Sequence, residues 1–137
     1  MSQFLTPLRT ELVDEFDDLH RLLEPLVYRS DLLAQLVVVP ADFLTDFASV
    51  PRLVGAYLLF GGKGKRAAVV HDWLYSGGVR VTREQADDVF REALLATGYS
   101  AFTAGAMYRG VRWGGASRFS APNVPQAAHV AAEMQAP

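Results

Sequence analysis

The chain has 137 residues, of which half are hydrophobic and 20% charged, with no cysteine and a formal net charge of −2. This balance favours one globular domain with its own core and excludes a disordered chain, a disulfide scaffold and thiolate metal sites. The charge is uneven, since residues 1–46 hold nine acidic and three basic residues and residues 47–137 hold six acidic and ten basic ones. No nucleic-acid-binding motif accompanies the basic part, so an ordinary solvated surface is its simplest explanation.

The apolar pattern argues against a membrane-spanning protein and against a protein with a signal peptide. No apolar stretch approaches the roughly 20 residues of a membrane-spanning helix, so the chain is not predicted to be transmembrane. The N-terminus lacks a basic start followed by an apolar run of about 7–15 residues, so no signal peptide is predicted. A protein of this kind that acts outside the cell would need a route of export other than a signal peptide.

Residues 1–46 have an extended pattern. Pro25 interrupts an apolar stretch and argues against a helix there. The β-branched run Leu36-Val37-Val38-Val39 ends at Pro40, which is typical of a strand with a stop signal. We therefore expect two or three antiparallel strands in this part of the chain.

From Phe47 onward the pattern is helical, with caps and glycines marking four segments. These predicted helices cover about residues 49–60, 65–75, 82–97 and 100–113, and the third begins with a capping box formed by Thr82 and Gln85. The tail is rich in Ala, Pro, Ser and Gln, which is typical of a flexible arm. The prediction is an α+β domain over 1–115, a small antiparallel sheet or hairpin packed on about four helices, followed by a Pro/Ala-rich arm over 116–137.

A group of polar residues stands out in the second and third predicted helices. His71 lies on an apolar stripe, and Asp72 is also poorly placed for free solvation. Asp87 lies at the edge of the apolar face of the third helix, and both His71 and Asp87 are eight residues from Val79 in the connecting turn. An antiparallel hairpin would bring them opposite each other, where the carboxylate could fix the tautomer of the imidazole.

Asp46 is the fourth member of this polar cluster, in the turn before the first predicted helix. It would join the site if the strands pack over the hairpin. Asp46, His71, Asp72 and Asp87 would then offer one imidazole and three carboxylates, which can position a water molecule or hold a hard cation. The alternative is a structural network that fixes helix register, with Asp46 only a turn or capping residue. Neighbouring aromatic residues, namely Phe47, Tyr57, Trp73 and Tyr75, are better explained as core than as a ligand platform.

Ordered motifs along residues 26–115 resemble a known family. They are the segment Val39–Arg52, the run Ala67-Ala68 through His71-Asp72-Trp73-Leu74-Tyr75, the set Arg83, Ala86, Asp87 and Phe90, and the set Met107, Tyr108, Val111, Arg112 and Gly114. Together they resemble the domain-of-unknown-function family 1353, which occurs in tailed bacteriophages and prophages. One departure is Ala41-Asp42, where a Gly-containing turn is common in the family. The resemblance implies a phage setting, with the protein in a virion or in the host bacterial cytoplasm, but no established activity.

The pair of helices carrying the cluster is also similar to the core of phospholipases of the A-two class. That similarity implies that His71 activates water, Asp72 binds calcium and Asp87 orients His71. The chain departs from that class in lacking the bracing cysteines and a clear Gly-rich calcium loop, for which the loop of Asp46 would have to substitute.

Two functions therefore stay open, and so does the question of whether the protein is an enzyme. The first is a virion-associated tail, neck or baseplate component whose partners are other phage virion proteins and whose cluster is structural. The second is a phage accessory hydrolase that acts on host envelope lipid or peptidoglycan. In the hydrolase, His71 and Asp87 would be catalytic, and Asp72 and Asp46 would bind a divalent cation such as calcium.

Overall fold

The computed structural model describes residues 1–16, 19–45, 64–114 and 119. They form an α+β fold in which six short strands precede three helices. The elements are β1 Gln3–Phe4, β2 Thr10–Asp14, β3 Leu19–Leu22, β4 Leu26–Ser30, β5 Gln35–Val39, β6 Leu44–Thr45, α1 Lys65–Tyr75, α2 Arg83–Ala96 and α3 Ala101–Gly114. The predicted strand before Pro40 is confirmed as β5, and the three later predicted helices are confirmed as α1, α2 and α3.

The strands form two antiparallel three-stranded sheets, in the orders β1-β4-β5 and β2-β3-β6. In the first sheet, Leu26 pairs with Val39 and Tyr28 with Val37, and all four side chains are buried. The intervening Val38 is 38% exposed, so β5 alternates between the core and solvent. The N-terminal part thus contains more strands than the two or three predicted, because several are too short or too exposed to give an alternating pattern.

The helices form an antiparallel hairpin, α1 with α2, against which α3 packs. The predicted capping box is present, since the side chain of Thr82 accepts from the backbone N–H of Gln85 and the side chain of Gln85 accepts from the backbone N–H of Thr82. Gly77, with a φ of 87°, provides the left-handed conformation that the turn after α1 requires. The buried apolar faces of the helices meet the first sheet, and the buried apolar residues of the described part of the chain form one hydrophobic core.

A carboxylate on α2 ties the first sheet to the helices. Glu92 accepts hydrogen bonds from the hydroxyls of Tyr28 at 2.7 Å and Ser30 at 2.8 Å. It also accepts one from the backbone N–H of Leu32 at 2.9 Å. These bonds fix β4 and the start of the following turn on the helical hairpin.

Two predicted segments lie outside the described residues. They are the helix expected over 49–60, with Phe47 and Tyr57, and the arm expected over 116–137, apart from Phe119. The described part of the chain therefore contains three helices where about four were predicted for the whole. Phe119 packs edge-on against Tyr75 at a centroid distance of 5.3 Å. None of the described helices is long and apolar enough to cross a bilayer.

Candidate functional site: a buried histidine and aspartate pair

His71 and Asp87 face each other across the helical hairpin. His71 lies in the middle of α1 and Asp87 in the second turn of α2, and neither side chain has any exposed surface. The Nε2 atom of His71 lies 2.7 Å from Oδ1 of Asp87. The sequence-based expectation that the hairpin places them opposite each other is therefore confirmed, whereas their catalytic roles stay a prediction.

Two further side chains bind the same carboxylate. The hydroxyl of Tyr75 donates to Oδ1 of Asp87 at 2.5 Å, and Nη1 of Arg112 donates to Oδ2 at 2.9 Å. Nη1 of Arg83 lies 3.8 Å from Oδ2 and donates to the backbone carbonyl of Arg112. The carboxylate of Asp87 is thus held by side chains from all three helices.

Tyr75 and Arg112 were not identified as site residues from the sequence. The sequence indicates a core position for Tyr75, and Arg112 is one of the ten basic residues of the part of the chain from residue 47 onward. The signal for Tyr75 was its position four residues after His71, which places both side chains on one face of α1. Arg112 gave no local signal, because it reaches Asp87 only through the packing of α3 on α2.

The protonation states of the pair follow from its surroundings. Burial alone would raise the pKa of Asp87, but the hydrogen bonds from His71, Tyr75 and Arg112 outweigh it and hold the pKa below its ordinary value. Burial lowers the pKa of His71 by more than the neighbouring carboxylate raises it. Burial and the bond to Asp87 raise the pKa of Tyr75. At neutral pH the site therefore holds an ionised Asp87, a neutral His71 and a neutral Tyr75.

These protonation states assign the tautomer of His71. An ionised carboxylate only accepts hydrogen bonds, so the proton of the neutral imidazole belongs on Nε2, facing Asp87. Nδ1 is then the basic nitrogen of the ring. The ring itself is held by Tyr75, at a centroid distance of 4.1 Å, and by Phe90 at 4.8 Å. The arrangement is an oriented imidazole whose base is Nδ1.

Asp72 belongs to a different face of α1. It is half-buried, and its Oδ2 accepts a hydrogen bond from the hydroxyl of Thr45 in β6. This contact ties the second sheet to α1, so the strand region does pack against the hairpin at the residue before Asp46. Asp46 itself lies outside the described residues.

The described residues supply few ligands for a metal cation. A calcium ion takes about six to eight oxygen ligands. Among the residues that the structure describes, no group of three or more His, Cys, Asp or Glu side chains converges on one point. Asp72 is the only described member of the predicted pair of ligands, Asp72 and Asp46.

Trp73 is a core residue, as the sequence indicated. Its side chain is 5% exposed and packs edge-on against Phe43 at 5.2 Å. A Cβ atom on Gly78 would lie 2.1 Å from Cε2 of this indole, so only glycine fits the turn there. Trp73 therefore closes the turn end of the hairpin.

Comparison with known proteins gives one match. The family model described as "Protein of unknown function (DUF1353)" matches residues 20–111. No curated protein and no solved structure matches the chain. The matched region contains His71, Asp72, Asp87 and Tyr75, and ends one residue before Arg112.

Proposed function

We propose that this chain, which belongs to the DUF1353 family of proteins of unknown function, is a virion-associated tail, neck or baseplate component of a tailed bacteriophage or prophage. The phage setting is supported by the motifs of residues 39–52 and 71–75, which resemble a family of phages and prophages. In this proposal, the polar cluster fixes the packing of the helices. The observation that carries the structural role is the complete burial of both His71 and Asp87.

The network has the properties of a structural element. Asp87 joins α1, α2 and α3 through charge-assisted and neutral hydrogen bonds. A buried carboxylate is tolerated only when its oxygens are satisfied, and a satisfied network specifies one arrangement of the helices. Sliding α1 against α2 by one residue would separate His71 and Tyr75 from Asp87 and break the two hydrogen bonds that α1 makes to this carboxylate. The network thus selects one register for a domain that has no disulfides.

A second function, the phage accessory hydrolase, is favoured by the orientation of the imidazole. A general base must be neutral at the working pH, held in position and within reach of water. His71 meets the first two conditions, and because its side chain is fully buried, the third requires the packed helices to open. Nδ1 would take a proton from water as the water oxygen attacks an ester or amide carbonyl. The proton would then pass to the leaving group as its bond to carbon breaks. Host envelope lipid or peptidoglycan is the proposed substrate, with Asp72 and Asp46 as the proposed cation ligands.

The substitution His71→Gln separates the two functions. The amide of glutamine can donate to Asp87 in place of Nε2, but it cannot act as a base. For a structural network we expect the variant to fold and to enter particles at the level of the wild type. For a hydrolase we expect the same fold and the loss of hydrolysis.

Two measurements test these expectations. Mass spectrometry of purified particles determines whether the protein is present at a fixed ratio to other virion proteins, and its absence from particles would contradict the virion proposal. Fatty-acid release from phospholipid vesicles and dye release from labelled peptidoglycan, each with and without calcium, test the hydrolase. Asp88→Asn is the matched control, because Asp88 follows Asp87 directly in α2 but is not part of the network around Asp87.

A further inference from the structure

The β2–β3 hairpin ends in an exposed apolar tip. We define the hairpin tip as residues 11–16, the part of β2 and its turn that the structure describes. Leu12 is 49% exposed, Val13 46% and Phe16 fully exposed at 101%. β2 is also one of the two edge strands of its sheet, and among the described residues no strand pairs with its outer side.

The hairpin tip is strongly acidic. Residues 11–16 contain three acidic residues, Glu11, Asp14 and Glu15, and no basic one. One of the three, Glu11, is paired with Arg21. Asp14 accepts a hydrogen bond from the backbone N–H of Phe16 at 2.9 Å, which orders the turn. The tip therefore presents an aromatic ring within an excess of negative charge.

An exposed surface of opposite charge lies on α3. Phe102, Arg109 and Trp113 are seven and four residues apart, which places them on one face of the helix, and we name them the α3 stripe. Phe102 is 81% exposed and Trp113 93%, and Arg109 is also exposed. Arg109 supplies the positive charge of the stripe, and residues 99–118 contain no acidic residue. The stripe is thus an aromatic and basic surface.

We propose that the hairpin tip of one copy of this chain docks on the α3 stripe of a second copy. The two surfaces are complementary in charge, since the hairpin tip is acidic and the α3 stripe is basic. The exposed aromatic side chains of both surfaces supply apolar area for the contact. Phe16 and Trp113 are exposed in the same molecule, so they do not cover each other within one chain. This inference does not depend on the proposed function.

The two surfaces are different, so the contact is head-to-tail. Each added copy leaves one free tip and one free stripe, and the assembly therefore grows into a ring or a filament. A symmetric dimer, in which the same surface meets itself, would instead bring like charges together. Charge complementarity thus favours the head-to-tail arrangement over a symmetric one.

A mixing experiment tests this arrangement. We expect the full wild-type chain to grow beyond a dimer in sedimentation velocity as its concentration rises. Phe16→Ser and Trp113→Ser should each weaken self-association at least about tenfold. A 1:1 mixture of the two variants should form a heterodimer and stop there, because one intact tip and one intact stripe remain. Leu32→Ser, at a position 61% exposed on another turn, is the control and should associate like the wild type.

Charge variants give an independent test. Arg109→Glu and Glu15→Arg should each weaken self-association, because each brings like charges together. Mixing the two variants should restore association, because both the unaltered pair of surfaces and the charge-reversed pair can form between them. Raising the salt concentration should weaken wild-type association, because charge attraction is screened. A wild-type chain that stays monomeric at about millimolar concentration, where even weak specific contacts are populated, would overturn the proposal. So would undiminished association of Phe16→Ser, or a mixture no larger than its separate components.

Discussion

The most informative perturbation is His71→Gln studied as a function of pH, because the pKa of His71 results from two opposing effects. Burial lowers this pKa, and the carboxylate of Asp87 raises it. Since burial dominates, the folded protein keeps the imidazole neutral below its ordinary pKa of 6.5, whereas the unfolded chain takes up a proton there. Wild-type stability should therefore be fully present above pH 6.5 and decrease as the pH falls below it.

The size of this pH dependence follows because, below pH 6.5, the unfolded chain binds one proton at His71 that the folded protein does not bind. The free energy of unfolding should fall by at most about 1.4 kcal/mol per pH unit below pH 6.5, until the folded pKa is reached. At pH 8, His71→Gln should cost about 1–2 kcal/mol, because the amide replaces one hydrogen bond but not the ring contacts with Tyr75 and Phe90. The difference between wild type and variant should therefore narrow as the pH is lowered from 6.5 to 5.

Urea unfolding followed by circular dichroism, at half-unit steps from pH 5 to pH 8, measures this difference. Subtracting the variant from the wild type removes the contribution of every other titrating group that the two proteins share. A difference that stays constant with pH would show that His71 does not change its protonation on unfolding. A difference that widens towards acid would show that Asp87 holds the imidazole protonated, and either result would refute the assignment of a neutral His71.

Three other substitutions test the packing around the site, each by urea unfolding at neutral pH. Asp87→Ala leaves buried donors without an acceptor and should lower the free energy of unfolding by about 3–5 kcal/mol. Gly78→Ala places a Cβ against the ring of Trp73 and should cost about 2–3 kcal/mol. Glu92→Ala removes the acceptor of three hydrogen bonds from β4 and its turn and should cost about 2–3 kcal/mol.

The glycine test has an internal control. A Cβ on Gly105 in α3 would meet Arg109 Nη1 at 3.8 Å, which is ordinary contact, so Gly105→Ala should stabilise the helix by about 0.5–1 kcal/mol. Equal destabilisation by the two glycine substitutions would contradict the close contact at Gly78.

A loss in the free energy of unfolding below about 1 kcal/mol for Asp87→Ala would show that the hydrogen bonds of Asp87 add little to the packing of the helices.

The hairpin and its central pair could be predicted from local signals. The helical period, the capping box at Thr82 and the glycines after Tyr75 fixed where α1 ends and α2 begins. A short turn between two helices makes them antiparallel, and equal distance from that turn places His71 opposite Asp87. β5 was equally predictable, since a β-branched run that ends at proline is a strong strand signal.

The small strands could not be predicted in the same way. β1 and β6 have two residues each, and β2 is exposed along nearly its whole length, so none shows the alternation of a half-buried strand. Their pairing depends on partners that are distant in sequence, such as Leu44 with Arg21. The first predicted helix, Asp46 and the C-terminal arm lie outside the described residues. The helix, the contact of Asp46 with the cluster and the flexibility of the arm therefore stay predictions.

The sequence by itself determined the elements whose signals are local: three helices, one clear strand and the facing pair of His71 and Asp87. Only the tertiary structure decided which other groups reach that pair. Arg112 arrives from α3, and Thr45 reaches Asp72 from a strand 27 residues earlier in the chain. Periodicity reports which face of an element is apolar, but not which other element covers it, because many packings bury the same face. The choice among them is made by side-chain shape and by the need to satisfy one buried carboxylate.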